Sequence, residues 1–356
     1  MPEESRDPIL VIGAGVLGLS TATLLQDTYP NSCITIVAAE LPGTSAPSVD
    51  YASMWAGAHY RPIPRSTPQL EDEAQLAMRS AQVMKTISTQ SPEAGVAFMQ
   101  GVEYLDSLTQ DVIAFKTGDV YAGKDDGFRI LDQSELPTAV QWGCEYRTFC
   151  VNVRIYCQWL LDRFVRRGGT VIQQRLPNAA AAFEMAREHG LGQVKTVVNC
   201  SGRNFDQDAK MTIIRGQTVL VRQQYHQTIT RQNRDGTWAF LIPRPRNGGT
   251  IVGGTKEIGD HESQPRPQTR KTLLQNAVNS FPDFVDKVDD FDVVQDNVGR
   301  RPWREGGVRT EVEFIDGECQ IIHGYGAGGR GYELSWGVAE RILGLVRQST
   351  GATPRL

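Results

Sequence analysis

The 356-residue chain is short of the residues that usually announce a metal or nucleophile site. It has five histidines and six cysteines. Cys33, Cys144, Cys150, Cys157, Cys200 and Cys319 stand at irregular spacings without a CxxC pair. They read as reduced core or surface thiols of an intracellular protein, and no metal site is expected. The histidines are dispersed, so no His-Asp or His-Cys constellation stands out, and His323 reads as structural. Long apolar runs are missing too: none approaches the roughly 18–20 residues of a membrane span. The polar opening, followed by an apolar run only a strand long before Gly13, excludes a secretory signal. Nor is there an excess of one charge, with 37 Lys and Arg against 41 Asp and Glu and a net charge of -4. The bases are scattered, which excludes an electrostatic footprint for nucleic acid or an anionic membrane and leaves small molecules as partners.

What is present is an ordered succession of strands, helices and glycine turns. The length predicts two interleaved domains. Ile9-Leu10-Val11-Ile12 reads as a buried strand, Val16 to Leu25 as a helix stopped near Pro30, and Cys33 to Val37 as a second strand. Residues 41–68 are too irregular for regular structure and too apolar for a free linker, so they predict a packed loop. Leu70, Ala74, Ala77, Met78, Ala81, Met84 and Ile87 keep helical spacing. A helix over 153–167 leads to a strand at 170–173, and Val194 to Cys200 reads as a strand ending in Ser201-Gly202. Residues 215–256 look β-rich, and a helix near 269–279 follows. The glycine-rich Gly324 to Gly331 opens a last helix through Val346.

Gly13-Ala14-Gly15-Val16-Leu17-Gly18 is GxGxxG placed directly between a strand and a helix. The first glycine permits the tight turn and the second lets backbone approach a pyrophosphate. The third allows close helix packing, and the helix N-terminus attracts negative charge. Glu40, past the second strand, is placed to bind ribose hydroxyls and argues against NADP; the alternative is a surface Glu beginning a loop. These glycines do not choose between FAD and NAD. The junctions at Ser201-Gly202 and Gly324 to Gly331 favour FAD, because a long dinucleotide needs several close backbone contacts.

With Ala52-Ser53-Met54-Trp55-Ala56-Gly57-Ala58, Arg215-Gly216-Gln217-Thr218-Val219, Ile242-Pro243-Arg244-Pro245, Gly253-Gly254-Thr255, Asn297 to Pro302 and His323 to Gly337, the chain resembles the D-amino-acid oxidase and D-aspartate oxidase family, its fungal members most. The resemblance implies an α/β fold: a Rossmann-like FAD-binding domain at 1–50, 151–210 and 295–356, interleaved with a β-rich α+β substrate domain at 51–150 and 211–294. It implies FAD lined by the glycine motif with Glu40, Ser45, Ala52, Ser53, Gly57, Leu176, Ser201, Gly202, Gly326, Gly328, Gly329, Arg330 and Gly331, and by Arg301. Arg301 would hold the substrate α-carboxylate through a two-pronged contact, and Gly329 would offer a carbonyl to the amine. The implied reaction passes the α-hydrogen as hydride to flavin N5, needs no general base, and consumes O2, giving hydrogen peroxide, a 2-oxo acid and ammonia.

Two departures mark the substrate site. Phe240 stands where most members carry a carboxylate-binding Tyr, a loss of about 1.5–3 kcal/mol unless replaced. Lys256 stands where relatives carry a second Tyr or an Arg, and is placed to supply the contact. Arg234 resembles an arginine of D-aspartate oxidases, and His59 and Arg330 border the implied pocket, so several cations would suit an acidic side chain. Solvated loop charges are the alternative for Arg234 and Lys256. A glycine- or sarcosine-type amine oxidase is a second reading. A homo-oligomer is left open. The family implies a peroxisome, for which Pro354-Arg355-Leu356 is a marginal address, and otherwise the cytoplasm.

Overall fold

Residues 9–12 and 34–38 are continuous apolar and β-branched runs, the pattern of strands covered on both faces. In the computed structural model, which describes residues 7–44, 46–63, 65–108, 127–202 and 208–349, they form β1 (Ile9–Ile12) and β2 (Ile34–Ala38). The two pair in parallel across α1 (Val16–Thr28). β6 (Thr170–Gln173), β7 (Thr196–Asn199) and β15 (Gln320–His323) extend the sheet in parallel. Antiparallel β14 (Val312–Phe314) closes one edge, giving the order β14-β15-β7-β1-β2-β6. Alternate residues leave opposite faces. Ile9, Val11, Ile34 and Ile36 pack with Leu19, Tyr156 and Ile342 from α1, α3 (Val153–Arg166) and α6 (Gly331–Ser349). Leu10, Ile12 and Val37 pack with Ala182 and Met185 of α4 (Ala181–Glu188). Helices on both faces put a nucleotide outside the carboxyl ends of these strands. α2 (Pro68–Gln90), capped by Thr67, packs on α6 so closely that a Cβ on Gly337 would lie 2.4 Å from the Leu76 carbonyl oxygen.

The second sheet runs β12 (Glu257–Ile258), β8 (Met211–Val221), β11 (Thr250–Gly253), β10 (Trp238–Pro243), β9 (Thr228–Gln232), β3 (Val96–Leu105), β5 (Trp142–Val151), β4 (Arg129–Ile130), with β13 (Val293–Arg304) also on β8. The 295 boundary expected from sequence falls inside β13, which pairs wholly in this sheet. One face, with Val219, Val221, Ile229, Leu241 and Val252, is covered by Leu273, Ala277 and Phe281 of and beside α5 (Pro267–Ser280). The other carries Leu220, Ile242 and Ile251, with Phe240 beside them. This face meets the loop after β2: a Cβ on Gly57 would reach the Ile242 side chain at 2.7 Å, and one on Gly299 the Trp55 side chain at 3.0 Å. Among the described residues no helix is long and apolar enough to cross a membrane. Ser45 and Pro354-Arg355-Leu356 lie outside the described residues.

Candidate active site

The glycine motif divides into two packed positions and one open one. Gly13 turns with φ +99°, and a Cβ there would sit 2.5 Å from the Cys200 carbonyl oxygen; a Cβ on Gly18 would sit 2.0 Å from that of Gly13. Strand, turn and helix therefore meet with no room for a side chain. Gly15, at the α1 N-cap, faces only Ser53 Oγ, at 3.1 Å from a hypothetical Cβ. The helix has neither a side-chain cap at Gly15 nor an acidic residue in its first turn, so its positive end is uncompensated there.

Three distant segments close on this end. Ser53 Oγ accepts from Val16 N at 3.0 Å, the Tyr51 hydroxyl donates to Ala14 O at 2.5 Å, and the Tyr332 hydroxyl donates to Ser53 O at 2.8 Å. Val16 touches Gly331, where a Cβ would lie at 3.4 Å, and Ala52 shares the short helical turn with Ser53. Ser201 N donates to Asn199 Oδ1 at 3.1 Å, whereas the Ser201 hydroxyl is buried without a partner among the described residues. An orphaned hydroxyl, an open backbone at Gly15 and a helix N-terminus with no acidic residue in its first turn make a donor set that fits the phosphates and ribitol hydroxyls of FAD. Gly202, with φ +72°, faces Pro302. Glu40 accepts from Ser48 N at 2.7 Å and from the Ser48 hydroxyl at 2.5 Å, so it anchors its own loop and keeps only its remaining lone pairs for a ribose. The Leu176 side chain, like Leu17's, is core, packed with Leu10 and Ala182.

The segment before α6 carries this cradle across to the second sheet. Gly328 N donates to Pro302 O at 2.8 Å, and Cβ atoms on Gly326 and Gly328 would lie 2.6 Å from Arg304 and 3.0 Å from Trp303. Gly329 is thereby set beside Arg301, whose Cδ would be 3.5 Å from a Cβ there. The Arg301 guanidinium lies flat over Gly216, where a Cβ would come within 2.1 Å of Nη2, and Nη1 donates to Thr255 O at 3.0 Å. Among the described residues no carboxylate pairs with it. Burial pushes this guanidinium below its ordinary value, with the charge of Glu257 acting the other way. The Phe240 ring covers Gly253 and Gly254, so tightly that a Cβ on Gly253 would lie 2.2 Å from Cζ.

The implied cations do not all gather here. Arg330 is committed elsewhere: Nε donates to Glu333 at 2.8 Å and Nη1 to Glu73 at 2.6 Å. His59 shares a hydrogen bond of 2.8 Å with Thr228 Oγ1. Burial, then Arg61, push the imidazole down to about 3, so it is neutral rather than a cation. Arg234 is exposed at the tip of the β9–β10 hairpin, and Lys256 is exposed one residue beyond Thr255. Neither makes an ion pair among the described residues.

The FAD dependent oxidoreductase (DAO) family matches residues 8–344. The chain belongs to that family. It is 55% identical to a D-aspartate oxidase of Talaromyces thermophilus, over 95% of this chain and 94% of the relative, and 32% identical to a D-amino-acid oxidase of Fusarium vanettenii, over 95% and 96%. An L-proline dehydrogenase from P. horikoshii superposes with a TM-score of 0.73 at 14% identity, covering 100% of this chain and 96% of that one, which shows the shared fold. FAD is the cofactor of this family.

Sequence reasoning left several members of the site without a role. Tyr51 and Tyr332 pin the loop to the cradle, Gly216 makes room for Arg301, and Thr255 accepts a hydrogen bond from it. Gly216 and Thr255 lie inside motifs that the sequence displays. Their function depends on β8, β11 and β13 being neighbours, which no local pattern states.

Proposed function

We propose that this protein oxidises D-amino acids with FAD and O2, and that acidic substrates, D-aspartate first, are preferred. One observation carries the reading: Arg301 presents a desolvated guanidinium that no carboxylate among the described residues pairs with, beside the glycine segment that also reaches the FAD cradle. A planar fork of that kind matches an α-carboxylate held by two parallel hydrogen bonds. Bound FAD supplies the acceptor for the two electrons and the α-hydrogen. The chain's own task is orientation. Arg301 fixes the carboxylate, the Gly329 carbonyl accepts from the amine, and the apolar Phe240 ring, packed over Gly253 and Gly254 next to Thr255, keeps water from that wall of the site. No side chain has to remove the α-hydrogen as a proton, and His59, pushed down to about 3, is too weakly basic to do so. The products are hydrogen peroxide and an imino acid, which water converts to a 2-oxo acid and ammonia.

The 55% identity to a D-aspartate oxidase supports the acidic preference. Lys256 is the cation proposed to meet the side-chain carboxylate, since it follows directly on the residue that holds Arg301. Peroxide release over D-Asp, D-Glu, D-Ala, D-Met, D-Phe, glycine and N-methylglycine tests the reading. D-Asp should give the highest kcat/KM, and Lys256→Met should lower it about tenfold more than the value for D-Ala. Turnover confined to glycine and N-methylglycine would reject it.

A further inference from the structure

Thr218, Gly253, Phe240, Thr230 and Glu103 are register partners in turn on β8, β11, β10, β9 and β3, so their side chains leave the second sheet on one face. Gly216, over which the Arg301 guanidinium lies, comes two residues before Thr218 on β8 and shares that face. Trp238 comes two residues before Phe240 on β10, with Gln232 as its partner on β9. β8 and β10 both pair antiparallel with β11 and therefore run the same way. Gly216 and Trp238 thus stand on the same side of the row, about 10 Å apart at two strand spacings. The Phe240 ring lies between them, over Gly253 and Gly254.

Trp238 is 37% exposed, yet its ring is braced. The Arg61 Cζ lies 5.3 Å from the centroid of the indole, a cation–π contact. Arg61 is fixed in turn, because its Nε donates to both oxygens of fully buried Glu103, at 3.1 and 2.9 Å. Glu103 also accepts from Gln232 Nε2 at 3.0 Å. The hairpin that carries Trp238 is stiff as well. Asn233 Nδ2 donates to Thr237 Oγ1 at 3.0 Å, Thr237 N donates to Asp235 Oδ1 at 2.9 Å, and Arg231 Nε donates to Asp106 Oδ1 at 2.8 Å, tying β9 to the end of β3.

We propose that Trp238, braced by Arg61 and Glu103, is the wall that limits the substrate side chain: it admits the short chain of D-aspartate and rejects aromatic D-amino acids. The inference rests on the reading of Arg301 given above. A carboxylate on Arg301 takes up one hydrogen bond of about 3 Å, and contact with the indole takes up about 3.5 Å. Of the roughly 10 Å span, only the length of a few carbon–carbon bonds is left. A larger side chain would have to displace a ring held by a buried ion pair, which is discrimination by a built-in clash.

The test compares the FAD-loaded parent with Trp238→Ala and Trp238→Leu. Phenylacetate and malonate, an aromatic and a short carboxylate with no oxidisable amine, are titrated by the flavin absorbance change, and kcat/KM is measured with D-Phe and D-Asp. In Trp238→Ala the phenylacetate Kd should fall about tenfold and kcat/KM for D-Phe should rise about tenfold, while D-Asp loses about threefold. Trp238→Leu, which keeps an apolar cover on the hairpin, should shift the same ratio by a smaller factor. Equal losses for D-Phe and D-Asp, or a phenylacetate Kd that does not fall, would overturn the proposal in favour of plain support for the hairpin. Exchanging the brace as a pair, Arg61→Met with Glu103→Gln, leaves no buried carboxylate uncompensated and should move selectivity the same way; parental selectivity in that variant would refute the brace. Arg301→Gln separates the two readings: if both acids keep their parental Kd, the assignment of Arg301 fails, whatever Trp238 shows.

Discussion

Arg301 is held by one backbone carbonyl and by the flat surface of Gly216. Its geometry, and not its charge alone, is what the site uses. Arg301→Lys keeps the charge and the reach to Thr255 but loses the fork. The variant should fold and bind FAD, while kcat/KM for D-Asp falls about 10- to 100-fold, the factor that one lost charged hydrogen bond implies. Steady-state kinetics beside a flavin spectrum would show this; a loss below threefold would mean that Arg301 does not bind the substrate. His59 makes a different prediction, about stability. Its folded value of about 3 lies below the ordinary 6.5, so between those limits the unfolded chain binds a proton that the folded chain refuses. Stability should fall as pH drops from about 6.5 towards 3. In His59→Gln that limb should flatten, since the glutamine cannot be protonated in either state. Urea melts of both proteins at pH 7, 5.5 and 4.5 measure the difference, and parallel losses would refute it.

The N-terminal end of α1 shows how one element separates folding from binding. Gly18 meets backbone at 2.0 Å, so Gly18→Ala forces helix and strand apart. Gly15 meets only the Ser53 hydroxyl at 3.1 Å, and its backbone is not left-handed, so Gly15→Ala is nearly tolerated by the polypeptide. Its methyl group would instead occupy the approach proposed for the FAD pyrophosphate. Apoprotein Tm should change by about 2 °C or less in Gly15→Ala and fall by several degrees in Gly18→Ala. FAD affinity should drop at least about tenfold in Gly15→Ala, and an unchanged FAD titration would sink the assignment. This element was legible in the sequence because strand, turn and helix are adjacent in the chain and their periods differ. β3 and β5 were not. Gln100 and Glu103 interrupt the apolar alternation of β3, and β5 alternates from Trp142 to Thr148 but with Gly143, Glu145 and Arg147 between; Glu103, fully buried, is acceptable because Arg61 donates to both its oxygens. The ion pairs of Arg330 were not legible either. Its partner Glu73 comes from α2, 257 positions away, and only the packing of α2 on α6 brings the two together.

At the scale of the whole molecule, the proposed FAD cradle is assembled from positions 13–18, 51–53, 200–202 and 326–331. The Rossmann-type start alone supplies the first of these. The last of them runs along β13, so the same few residues touch both sheets. A ligand bound across them stabilises the association of the sheets as well as the local turn. FAD at a hundredfold excess over its Kd should stabilise the native state by about 2.7 kcal/mol. For a chain of 356 residues that corresponds to a rise in Tm of roughly 3–4 °C. If the cradle spans both sheets, this rise should appear as one transition moving as a whole, seen alike by far-ultraviolet circular dichroism and by tryptophan emission, to which Trp142, Trp238 and Trp303 of the second sheet and Trp159 and Trp336 packed on the first all contribute. In Gly15→Ala, with FAD affinity at least about tenfold weaker, the same FAD concentration should produce about half that rise or less. An equal shift in that variant would place the cofactor elsewhere, and a shift confined to one of two resolved transitions would mean that FAD binds the first sheet without coupling it to the second.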